Sequence, residues 1–94
     1  MTTELDIRTL REERLGLSRV QLGQLLGVHP LTVYRWERGN ALPPHQRALL
    51  ESFQHASKAK PNIGETVAAA LLTAGVVVAL YLLLEAAVGK GSRR

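Results

Sequence analysis

Arg19, Tyr34, Arg35 and Arg38 lie within twenty residues of one another, with His29, Thr32 and Asn40 nearby. Guanidiniums set beside an aromatic ring and small polar groups suit phosphate oxygens and the edges of bases rather than bond breaking. No comparable set points to catalysis. Asp6 is the single Asp, Glu12 and Glu13 are adjacent and face different sides of a helix, and no Ser has a plausible His and Asp set. His29, His45 and His55 lack the i, i+4 spacing of a helical metal site. With no Cys there is neither a disulfide framework nor a thiolate zinc site. No glycine-rich phosphate loop occurs, so neither an enzyme nor a cofactor or metal is expected.

The elements that must carry these residues are two short helices and a tight turn. Ser18 is a good N-cap, and Leu22, Leu25 and Leu26 follow at helical spacing. Gly27 can close that helix in a left-handed conformation, with Val28 plugging the corner. Pro30 suits the first turn of the next helix. There Val33 and Trp36 face the core, and His29, Leu31, Thr32, Tyr34 and Arg35 face out, the geometry by which a helix enters a DNA major groove. An earlier helix is predicted from about Leu5 to Leu15, capped by Thr3, with Ile7, Leu10 and Leu15 inward and Arg8, Arg11 and Arg14 outward. A later one starts just after Pro43-Pro44 and runs to about Ala56. The expected core is Leu10, Leu22, Leu26, Val33, Trp36, Leu49 and Phe53. Residues 1–60 carry nine Arg or Lys against six Asp or Glu, a net +3, and Arg19, Arg35 and Arg38 are expected on one side.

The hydroxyl cap at Ser18, the pair Leu22-Gly23, the corner Gly27-Val28 and Trp36-Glu37-Arg38-Gly39 stand in the order and spacing of the Cro/repressor (Xre-type) helix-turn-helix family. The chain resembles that family over roughly residues 5–56. Two positions depart from it: Arg19 stands where the family often has a phosphate-touching Gln, and Gly23 where it usually has Ala. The resemblance implies a four-to-five-helix, all-α domain that binds double-stranded DNA. It also implies that Arg35 and Tyr34 reach base edges or nearby phosphates. His29, Pro30 and Leu31 would touch the groove floor, Leu31 meeting a thymine methyl. Arg19, Arg38 and the amides around Asn40 would hold the backbone, and Thr32 shares the outward face.

Thr66–Leu84 is a run of nineteen residues without a charge, bounded by Glu65 and Glu85. As one helix it would reach about 28 Å, close to the thickness of a bilayer's hydrocarbon core, and Tyr81 lies near one end, where aromatic rings favour the interface. The expected organisation is therefore a helix-turn-helix domain over 1–56, a basic linker over 57–63, a single transmembrane helix over 64–88 and a short basic tail over 89–94. It places the protein in the inner (cytoplasmic) membrane, spanning it once, with the N-terminal domain in the cytoplasm. Thr66, Ala70 and Ala74, and the pairs Gly64–Ala68 and Gly75–Ala79, suggest a small-residue surface for a homodimer within the bilayer.

Two classes of function follow. The first is a membrane-anchored DNA-binding transcriptional regulator. The second is an adaptor whose domain binds protein. The rod-shape-determining (RodZ-like) membrane proteins are similar in joining such a domain to one span, and an accessory subunit of a membrane complex is the other form.

Overall fold

The structure, a computed structural model, describes residues 6–88; the proposed Thr3 cap, the helix start at Leu5 and the 89–94 tail lie outside them. Every described element is helical. Asp6 opens the first, α1 (Ile7–Thr9), its carboxylate accepting from the Thr9 amide at 3.1 Å. Those hydrogen bonds from Thr9 hold the Asp6 carboxyl below its ordinary 3.8. The support it gives is therefore complete above 3.8 and is lost as pH falls through the lowered value. The helix then widens into π turns over Leu10–Leu15. Ile7, Leu10 and Leu15 are buried as their spacing predicts, but so is Arg11, which the same spacing placed outside.

Next come α2 (Arg19–Leu26) and α3 (Pro30–Glu37), then α4 (Pro44–Ala59), which runs past Ala56 and through Ser57. Buried Gln46 ties the start of α4 to the end of α2, donating from Nε2 to the Leu26 carbonyl at 3.2 Å. A turn at Lys60–Asn62 leads directly into α5 (Ile63–Thr73). After Ala74 and Gly75 the chain reverses into α6 (Val76–Val88).

That reversal overturns the transmembrane helix and, with it, the single-pass placement in the inner membrane. No described helix is long and apolar enough to cross a membrane. The uncharged run is divided between helices of 11 and 13 residues, about 17 and 20 Å at 1.5 Å per residue, where a span needs about 30 Å. Gly75 makes the break: its φ of +103° is open to glycine and strained for other residues. The Ala74 and Gly75 amides close α5 by donating to the Ala70 carbonyl at 2.7 and 2.8 Å.

The two halves pack on the rest of the protein. α6 lies chiefly along α4 and α5 and also touches α2, while α5 meets the π-helical segment. Ile63, Val67, Ala70, Ala79, Leu83 and Ala86 join Leu10, Leu22, Val33, Trp36, Leu50 and Phe53 in one core. Three of the small residues read as a dimer surface in a bilayer serve this packing instead: Ala70 and Ala79 are buried within the chain, and Gly64 lies against the Leu15 backbone, whereas Thr66 and Ala74 are exposed. Leu72, Val77, Tyr81 and Val88 remain on the outside.

A Cβ at Gly64 would overlap the Leu15 carbonyl, a backbone group that no side-chain rotation can move aside. Gly64→Ala is therefore expected to destabilise the fold by about 1–3 kcal/mol. A shift in the urea midpoint at constant slope is the measurement; an unchanged midpoint would mean that α5 can slide away from Leu15 without loss.

Candidate nucleic-acid interface

The α2–turn–α3 unit is assembled by local chemistry. Ser18 and Gln21 form a reciprocal cap, Ser18 Oγ accepting from the Gln21 amide at 3.0 Å and Gln21 Oε1 from the Ser18 amide at 2.8 Å. Gly27 ends α2 in the left-handed region at φ +73°, as expected. The Val28 carbonyl lies only 2.6 Å from where a Gly23 Cβ would stand, which accounts for glycine at that position.

α3 is fixed from its inner side. Val33 is fully buried and Trp36 nearly so, leaving Leu31, Tyr34 and Arg35 exposed and Thr32 and Pro30 half-buried. Arg35 makes no ion pair among the described residues. His29 is exposed but already employed: as the N-cap of α3, its Nδ1 accepts from the Leu31 amide at 2.9 Å. Only its other ring nitrogen is free to meet a partner. The amides around Asn40 are also committed, Gly39 N–H to the Trp36 carbonyl and Asn40 N–H to the Arg35 carbonyl, both at 3.0 Å. They close the end of α3 and are not free donors for a phosphate, although the Asn40 residue itself is exposed.

Arg19 is less free than its position at the start of α2 suggests. Its Nε donates to Glu37 Oε1 at 3.0 Å, and its guanidinium carbon lies 5.0 Å from the centre of the Tyr34 ring. Arg38 approaches the same ring at 5.7 Å and donates from Nη1 to the Tyr34 hydroxyl at 2.9 Å. The structure thus brings Arg19, Tyr34 and Arg38 together in one stack.

Beneath the stack lies a pair that the residue pattern did not reveal. Arg11 Nε and Glu37 Oε2 are 2.6 Å apart, with side chains only 6 % and 3 % exposed. Arg11 also donates to the Leu17 carbonyl at 3.1 Å and to Glu12 at 3.2 Å. Burial pulls the Arg11 pKa down, but the bonds and charge of Glu37, with Glu12, outweigh it and leave the pKa above its usual value. One signal was available in Glu37 itself: a carboxylate in the last turn of a helix opposes the helix dipole and needs cations nearby.

Residues 6–60 match the helix-turn-helix domain family. No curated protein and no solved structure matches the chain. The resemblance to rod-shape-determining proteins gains no support, and the membrane span it relied on is the folded hairpin.

Proposed function

The chain belongs to the helix-turn-helix domain family, and from that membership we propose that it is an Xre-type transcriptional regulator that reads double-stranded DNA with α3. The observation that carries this reading is the two-sidedness of α3. Val33 and Trp36 fasten one side to the core, while Leu31 and Arg35 stand exposed on the other, beside the Tyr34 ring that gathers Arg19 and Arg38. Arg35, exposed and unpaired among the described residues, is the base reader, suited to a bidentate contact with guanine. Leu31, at the start of α3, is placed for a thymine methyl. Arg19 and Arg38, gathered at Tyr34, hold the backbone phosphates, and the outward nitrogen of His29 adds a contact near the helix start.

Arg35→Ala is expected to cost about 1–3 kcal/mol of affinity for a selected duplex and little for random sequence. Arg19→Ala is expected to weaken both alike and to reduce the salt slope by about one. Gel shifts across a salt series with the full chain check both. Wild-type protein that binds no duplex at low salt would end the reading and favour a protein partner for this face.

A further inference from the structure

We propose that Tyr34 is a positioning residue that pre-sets Arg19 and Arg38 as a paired clamp on the DNA backbone, rather than a reader of base edges. The inference rests on the DNA-binding reading and assigns Tyr34 a different task within it. Both guanidiniums gather at one ring, at 5.0 and 5.7 Å from its centre, although Arg19 begins α2 and Arg38 follows α3. The Tyr34 hydroxyl accepts from Arg38 Nη1 at 2.9 Å, which ties its oxygen to the arginine arm. The ring face is likewise engaged by Arg19.

Two like charges at one ring repel each other, so something must hold them there. Glu37 Oε1 anchors Arg19 from below, and the Tyr34 hydroxyl anchors Arg38. The linked groups are Arg8, Arg11, Arg19 and Arg38 against Glu12 and Glu37, four cations to two anions and hence a net +2. That surplus is complementary to two phosphates. A phosphate that draws Arg19 away from Glu37 leaves the carboxylate still paired with Arg11, so no buried charge is orphaned. Arginine arms held beforehand lose less rotational freedom on binding than free ones, and this saving is what the ring supplies.

The prediction has a signature that separates positioning from direct contact. Tyr34→Ala removes no charge, so the salt slope should stay at the wild-type value while affinity falls about tenfold. The loss should be equal on a duplex selected by the wild-type protein from a random pool and on a random duplex of the same length. Tyr34→Phe keeps the ring for both arginines and removes only the hydroxyl bond to Arg38, and should lose about threefold. Thermal melts of the full-length variants should match wild type, because Tyr34 is 37 % exposed. Three outcomes would overturn the proposal while leaving the DNA reading intact: unchanged affinity in Tyr34→Ala, a loss confined to the selected duplex, or a loss in Tyr34→Phe as large as in Tyr34→Ala. Wild-type protein that binds neither duplex would remove both readings together.

Discussion

A chain ended after Lys60 is expected to lose the cooperative melt of the whole protein, even though it retains every residue matched to the helix-turn-helix family. The cut removes Ile63, Val67 and Leu83, which are between 0 and 4 % exposed, together with the buried alanines Ala70, Ala79 and Ala86. Large apolar side chains contribute about 1.5–3 kcal/mol each when fully buried. Three of them approach the roughly 5–15 kcal/mol that holds a domain together. The loss also strips α4 of α6, its main packing partner, leaving an apolar helix face to water. Circular dichroism and a thermal scan of the shortened chain test this directly. A sharp transition at the parent temperature would mean that α5 and α6 are an appendage, and the single core described above would be wrong.

Glu37→Ala should be nearly as damaging, for an electrostatic reason. It leaves the Arg11 guanidinium buried, with the Leu17 carbonyl and a Glu12 carboxylate that is 44 % exposed on its side chain. Removing one member of a buried pair typically costs about 3–5 kcal/mol, because the other charge stays desolvated. Adding Arg11→Met should recover much of that, since an apolar side chain needs no partner there. Urea unfolding of the two variants distinguishes the cases. If the single change leaves the midpoint where it was, Glu12 alone satisfies Arg11; if the double change is no better than the single, the loss comes from packing around Glu37.

The contrast between the two halves of the chain shows what a linear pattern can carry. Ser18, Gly27 and Pro30 act on backbone within four residues of themselves, and Val33 and Trp36 follow one helical period, so the helix-turn-helix unit was legible before any coordinates. The burial of Arg11 was not, because its partner is 26 residues away. Nor was the cap at His29, an imidazole doing work usually done by Ser or Asp. The apolar run failed differently: hydropathy is the same whether nineteen uncharged residues continue straight or fold back. What decides between them is Gly75, which as a small residue suits a helix–helix contact and as a residue with φ +103° ends the helix.

The hairpin also sets an order of events during synthesis. Domains generally fold as units as the chain leaves the ribosome. Here Leu50 and Phe53 emerge well before Leu83 and Ala86, the residues that complete the core they belong to. The part of the protein that resembles a finished domain therefore waits, with an uncovered face on α4, until Val88 has emerged from the ribosome. During that interval the half-built head is exposed to chaperones and to other nascent chains, and codon changes that slow synthesis between Lys60 and Val88 should lower the yield of folded protein without altering a single residue.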